Sequence, residues 1–252
     1  MVQIRIINPT ITKSWEEASR LAYAQAAGPG VEVSLVTLEW GPASIESARD
    51  HALAVPDILN KIVQAEAEGV EAVIVDCMGD PGVPAARELV RIPVVGPAEA
   101  SMHLAAMLGQ RFSMLAVLDS RIPMMEEQVL RYGLADRLAS VRAFNVPVLD
   151  LEKDAEGTLQ AVVAAAEQAV KQDNAHVIVP GCTGLAGWAG HIQAALAERG
   201  CEVPVLDPPS VAMKMAETLV SLGLCHSQRS YARPGPKRYQ WPAPLAFGQE
   251  NG

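Results

Sequence analysis

The sequence predicts an α/β fold of parallel sheets flanked by helices, arranged as two similar halves. Three observations predict it. Short apolar, β-branched runs alternate with helical patterns along the whole chain, which is the rhythm of βα units. Some runs, such as Ala72–Val75, are apolar throughout, as strands buried on both faces of a parallel sheet are. The second half also repeats landmarks of the first. Val73-Ile-Val-Asp-Cys77-Met-Gly is echoed by Val177-Ile-Val-Pro-Gly-Cys182-Thr-Gly, and Ile92-Pro-Val-Val-Gly-Pro97 by Val203-Pro-Val-Leu-Asp-Pro208. Cys182 follows Cys77 by 105 residues and Pro204 follows Pro93 by 111. A near-constant spacing over two separate motifs argues for internal duplication.

The elements follow in order. Ile4–Ile7 reads as the first strand, ended by Asn8-Pro9, since proline has no N–H to give a ladder. Ser14–Ala27 is a predicted helix stopped by Gly28-Pro29-Gly30, and Val31–Val36 a strand. Val55–Glu68 carries Ile58, Ile62 and Val63 at helical spacing and closes at Gly69. Ala72–Val75 and Pro93–Val95 are strands, with a helix over Ala98–Leu108. Ser113–Val117, Val141–Phe144 and Val177–Val179 are further strands, with helices at about 122–131, 157–171 and 185–198. Val203–Leu206 is the last expected strand and Ser210–Leu222 the last helix.

Composition narrows the function. Of the 252 residues 50% are hydrophobic and 19% charged, enough apolar surface for a full core. The formal net charge is −9, which disfavours binding to a phosphate backbone. Aromatic residues make up 4%, too few for base-stacking surfaces. Charge is uneven. Arg229, Arg233, Lys237 and Arg238 face only Glu250 in the stretch 226–252, which also holds four prolines and is expected to wrap over the surface. No signal-peptide pattern and no apolar run of membrane-spanning length is seen, so a cytoplasmic protein is expected.

Cys77 and Cys182 carry the chemistry. Each follows an apolar strand and precedes a glycine-containing turn. Ligands of parallel sheets bind beyond the carboxyl ends of strands. A helix opening there would offer free N–H groups and lower the thiol pKa. Two such thiols facing one another could work as a two-base pair. One thiolate takes a proton from a carbon beside a carbonyl, the opposite thiol protonates the other face, and backbone N–H groups hold the enolate. Cys201 and Cys225 read as spectators, so the even count of four does not imply two disulfides. His191 stands nine residues after Cys182, which puts it on the far side of a helix.

The motifs, taken in order, resemble the aspartate/glutamate/hydantoin racemase superfamily, and most of all its hydantoin racemase branch. They are Arg5-Ile-Ile-Asn-Pro, Gly41-Pro-Ala-Ser-Ile-Glu-Ser47, Asp76-Cys77-Met-Gly-Asp-Pro-Gly82, Ala85-Ala-Arg-Glu-Leu89, Pro93-Val-Val-Gly-Pro-Ala-Glu-Ala100, Phe112-Ser, Gly181-Cys-Thr-Gly184, and the tail from Leu222-Gly-Leu through Ser227, Tyr231 and Lys237. The resemblance implies two pseudo-symmetric lobes with the active site in the cleft between them. It implies lobe 1 over 1–97 plus 210–252 and lobe 2 over 98–209, because the last helix of the family returns to the first lobe. It implies that Cys77 and Cys182 are the acid/base pair. Asn8 and the Gly41–Glu46 loop, with Pro42, Ser44 and Ile45, would line the pocket, and Met78, Gly79, Thr183 and Gly184 would hold the substrate. The chain departs from the usual pattern at Thr10, at Met78 and at Asp76, whose charge would raise the pKa of Cys77 unless it points away.

The expected reaction is inversion of a carbon α to a carbonyl, without cofactor and without metal, in a 5-substituted hydantoin or a related cyclic ureide such as allantoin. Alternatives are an aspartate/glutamate-type amino-acid racemase, a maleate isomerase-like or decarboxylase-like relative, and a binding protein that has lost turnover. No Lys or Arg is adjacent in sequence to either cysteine motif; the nearest are Lys61 and Arg87 on one side and Lys171 and Arg199 on the other. That favours a neutral ring over a dicarboxylate, which wants cationic partners. The expected partners are a small-molecule substrate and further copies of this chain, with no nucleic acid and no membrane.

Overall fold

Two parallel sheets of the same connectivity organise the molecule; the computed structural model describes residues 1–235, 237 and 238. In the first sheet β1 (Val2–Asn8) lies between β2 (Val31–Thr37) and β3 (Ala72–Val75), and β3 carries the short β4 (Val94–Val95) on its outer side. In the second, β5 (Phe112–Ala116) lies between β6 (Leu138–Ala143) and β7 (Val177–Pro180). All these pairs are parallel. The segment expected as a last strand, 203–206, makes only a single parallel bridge, Val205 to Ile178 of β7. It occupies the place that β4 takes beside Ile74 of β3, but Pro204 lacks an N–H and shortens the ladder. The duplication read in the motifs is therefore also a duplication of topology.

Burial on both faces explains the continuous apolar runs. In β3, Ala72 and Ile74 pack with Ile4, Ile6 and Tyr23 on one side, while Val73 and Val75 pack with Ile7, Ile58 and Ile62 on the other. In β5, Phe112, Met114 and Ala116 face one cluster and Leu115 the opposite one. Side chains alternate across a strand, so both sets need helical cover.

The helices supply it. α1 (Glu16–Ala26) precedes β2, and α2 (Ala48–Ala67) precedes β3. α2 starts seven residues before the expected Val55, because Ser47 caps it by accepting the Asp50 N–H at 3.1 Å. Pro56 lies inside the helix, at the cost of one backbone hydrogen bond. Val63, expected on the apolar face, is exposed; Asp57 is buried there instead and accepts the Glu39 and Trp40 N–H groups. α3 (Val83–Leu89) is the helix expected to open after the Cys77 turn, and at seven residues it is too short to show a period of its own.

In the second half come α4 (Pro97–Leu108), α5 (Ile122–Arg131), α6 (Ala155–Asp173), α7 (Ala189–Glu198) and α8 (Pro208–Ser221). α7 starts later than the expected 185 because Thr183–Leu185 forms a separate 3-10 turn. α8 opens on Pro208 and Pro209 with Asp207 as its cap, prolines being well suited to a first helical turn. It packs against α1 and α4. Its Ala212, Met213 and Ala216 join Ile4, Ile6, Ile74 and Val95 in the core of the first sheet.

The start of the basic tail runs over the edge at β4. His226 accepts the Val94 N–H at 2.8 Å, and Arg87 reaches both the Tyr231 hydroxyl and the Glu99 carboxylate. This covers an edge strand that would otherwise be open to pairing. Residues 236 and 239–252, part of the stretch expected in lobe 1 and including Glu250, lie outside the described residues. No helix among the described residues is long and apolar enough to cross a membrane.

Candidate active site

β3 delivers Cys77 on a tight turn. The Asp80 N–H bonds back to the Cys77 carbonyl, and Asp80 itself has φ +48°, a left-handed conformation tolerated by Asp. The Asp80 carboxylate holds the turn in place. It accepts the N–H groups of Ala98 and Glu99 at the start of α4, and the Tyr132 hydroxyl at 2.6 Å. Within the turn the Gly79 N–H donates to Cys77 Sγ at 3.3 Å. His51 of α2 packs on Gly79, its Nε2 lying 3.1 Å from the Gly79 carbonyl oxygen.

β7 delivers Cys182 in the same manner. Gly181 donates to the Leu115 carbonyl of β5 at 2.9 Å and carries the chain off the sheet. The Gly184 N–H donates to Cys182 Sγ at 3.4 Å, matching the Gly79–Cys77 contact. The Thr183 hydroxyl crosses to the other half and donates to the Asp76 carbonyl at 3.3 Å. A second tie runs from the Val148 N–H to the Glu46 carboxylate at 2.7 Å.

Both cysteines line one cavity of about 480 Å³, the size of a small-molecule site. Of the expected binding residues, Asn8, Ile45, Met78, Gly79, Thr183 and Gly184 line it as well. Pro42 and Ser44 are not among its lining residues. The Pro42 carbonyl accepts the Ile11 N–H, and the Ser44 hydroxyl donates to Glu46, so both brace the loop that presents Ile45. Asn8 braces the neighbouring loop through the Thr12 carbonyl and the Thr10 and Thr37 hydroxyls.

Sequence reasoning missed three parts of the wall: Trp15 at the start of α1 with Ser19 and Ala22 on it, Arg121 and Met125 after β5, and Val148, Leu149 and Leu151 to Lys153. Trp188 also lines it. Amphipathic spacing gives α1 a second face but does not tell that the face borders a cavity. His191 is exposed, and the cysteines are all free, with Cys201 buried and Cys225 exposed.

The thiols are not acidic, contrary to the helix-terminus argument. Burial pushes Cys77 up to about 11 and Cys182 up to about 12. The hydrogen bonds from Gly79 and Gly184 pull the other way but do not prevail. The physical reason lies in the turns. α3 opens six residues after Cys77, and Cys182 is followed by only one 3-10 turn, so little dipole reaches either sulfur. Asp76 adds a small upward push on Cys77. Its carboxylate accepts the buried Tyr23 hydroxyl at 2.9 Å, and burial raises its own pKa. Arg121 acts in the opposite sense and lowers Cys77. The count of cations near each cysteine in sequence had overlooked it.

Two lobes built on parallel sheets, with a thiol at the same strand end of each, make the fold that of the racemase-type isomerases. The chain belongs to the Asp/Glu/Hydantoin racemase family, whose model matches residues 4–216. It is 38% identical over 239 residues to the hydantoin racemase of Pseudomonas sp. (strain NS671), covering 94% of each chain. Among solved structures it is similar to the allantoin racemase from Klebsiella pneumoniae, with 36% identity, a TM-score of 0.88 and coverage of 96% of this chain and 97% of that one. It is also similar to the allantoin racemase from Pseudomonas fluorescens, with 35% identity, a TM-score of 0.89 and coverage of 95% and 100%.

Proposed function

We propose that the protein racemises a cyclic ureide, a 5-substituted hydantoin or an allantoin-like ring, with Cys77 and Cys182 as a two-base pair. The observation that carries this reading is the equivalence of the two thiols. Each follows the third strand of its sheet, each takes an N–H from the glycine two residues on, and both line one cavity. The relatives named hydantoin racemase and allantoin racemase support the ring as substrate. The lobes in this reading are 1–97 with 210–252, and 98–209.

The ring lies between the sulfurs with its C5–H toward one of them. That thiolate takes the proton, the C–H electron pair moves into the adjacent carbonyl, and an enolate forms. The opposite thiol protonates the other face of C5, which inverts the centre and leaves the two sulfurs with exchanged protonation. A thiolate whose conjugate acid sits near 11 is a stronger base than an ordinary one but forms in only a small fraction of molecules at neutral pH, so the rate of this reaction should rise with pH. The Met78 N–H has no acceptor among the described residues and in this reading holds the oxyanion, with the Thr183 hydroxyl, once it leaves the Asp76 carbonyl, on the opposite side.

The test is deuterium wash-in at the stereocentre over a panel of hydantoins, allantoin, aspartate and glutamate. Exchange is expected with the ureides and loss of racemisation in C77A and C182A. Exchange with the amino acids alone would move the substrate class, and substantial racemisation by either single variant would refute the two-base pair.

A further inference from the structure

Arg121 is a buried cation that the fold leaves without a counter-ion. It closes the 3-10 turn Asp119–Arg121 that follows β5, so it stands at the same sheet edge as Cys182. It is 7% exposed and lines the cavity. The one side-chain hydrogen bond its guanidinium makes among the described residues is from Nη1 to the Met124 sulfur at 3.4 Å. No carboxylate among the described residues lies within ion-pair distance of it. Nη2 comes within 3.8 Å of where a Cβ of Gly79 would stand, so the group lies beside the Cys77 turn.

A buried guanidinium without a partner is expensive. The nearest acids are already engaged: Glu46 accepts from Val148 and Ser44, and Asp50 accepts from Glu46. The thiols hold their protons at neutral pH, so they supply no standing negative charge. Lys153, the other cation of the cavity wall, is exposed and paired with Asp150. A planar donor fork of this kind is matched by a carboxylate.

We propose that Arg121 is a specificity-determining residue that receives a carboxylate on the C5 substituent, so that the preferred substrates are cyclic ureides with an anionic side chain. This rests on the racemase reading above, and it adds a charged side-chain contact to the neutral ring favoured from the sequence neighbours. The ring itself remains neutral and is held by the two turns. The carboxylate supplies the charge that Arg121 lacks.

The experiment compares 5-(2-carboxyethyl)hydantoin with its neutral isostere, 5-(2-carbamoylethyl)hydantoin, by loss of optical rotation. The wild-type protein is expected to prefer the acid by at least about 30-fold in kcat/KM, mainly through KM, which is the scale on which a desolvated charge pair is lost. In R121M that ratio falls to about 1, and R121K keeps part of it. Equal kcat/KM for acid and amide in the wild type overturns the proposal, and this arm needs no variant to fold. A fall by the same factor on both substrates in R121M also overturns it, because Arg121 would then serve the reacting ring. Failure of the racemase reading looks different: no deuterium enters either ureide.

Discussion

The Thr183 hydroxyl donates to the main-chain carbonyl of Asp76 at 3.3 Å, so the residue after one cysteine is tied to the residue before the other. The bond fixes the two strand ends against each other at the base of the cavity. A neutral hydrogen bond of this kind contributes about 1 kcal/mol net, roughly a fivefold effect if the tie were its whole role. In the proposed reaction the hydroxyl turns from the Asp76 carbonyl to the substrate carbonyl when the ring binds, so Thr183→Val is expected to lower kcat/KM by about 100-fold, the scale of a lost oxyanion donor. Thr183→Ser, which keeps the donor, should stay within about threefold of wild type. Steady-state racemisation of the two variants, with thermal melts to confirm folding, checks this. A valine variant within fivefold of wild type would confine Thr183 to the tie.

The raised thiols predict an alkaline reactivity profile. With Cys77 at about 11 and Cys182 at about 12, each is protonated throughout the neutral range, and only the thiolate reacts with alkylating agents. Iodoacetamide labelling of both should therefore rise about tenfold per pH unit from pH 7 to 10, read peptide by peptide so that exposed Cys225 is counted apart. A plateau below pH 9 would show an acidic thiolate and reject the burial argument. Stability follows the same sign. Folded thiols keep protons that unfolded ones release from the ordinary value of 9.0 upward. Their contribution is full below about pH 9 and is lost as pH rises toward 11 and 12.

Much of this architecture is legible in the sequence, and what is missed is missed for physical reasons. Continuous apolar runs such as Ala72–Val75 and Val177–Val179 announce strands because both faces are buried, and the cysteines stand out because they follow those runs at the same place. Helix starts are less visible. Ser47 caps α2 well before its apolar spacing becomes regular, and Pro56 looks like a start although it lies inside. The cavity wall is least visible. Arg121 reaches Cys77 through the packing of one lobe on the other, 44 positions away in sequence. Counting neighbours along the chain therefore misses this cation. Asp57 and Asp80 look like surface acids, yet both are buried and hold loops by accepting backbone N–H groups.

Gly181 is the position where a single methyl group should do most harm to the site. Its N–H bonds to the Leu115 carbonyl, and a Cβ there would collide with that same carbonyl oxygen. It would also stand 3.1 Å from the Leu115 carbonyl carbon and 2.5 Å from Met125 Cε. The methionine end can swing away. The carbonyl cannot, because Leu115 belongs to the central strand and is paired on both sides, with Arg142 and Pro180. The strand end carrying Cys182 must then move. Gly181→Ala is expected to destabilise by about 2–3 kcal/mol, as overpacking does, and to lower racemisation by about 100-fold or more, since displacing a reacting group by 1 Å costs that much. Gly184→Ala is the control. Its Cβ would meet only side-chain atoms, Leu151 Cδ1 at 3.0 Å and Cys182 Sγ at 3.3 Å, so its stability loss should be under about 1.5 kcal/mol. Urea melts and racemisation rates of the two variants decide the matter, and a Gly181→Ala protein with wild-type activity would show that the strand end is not what places Cys182.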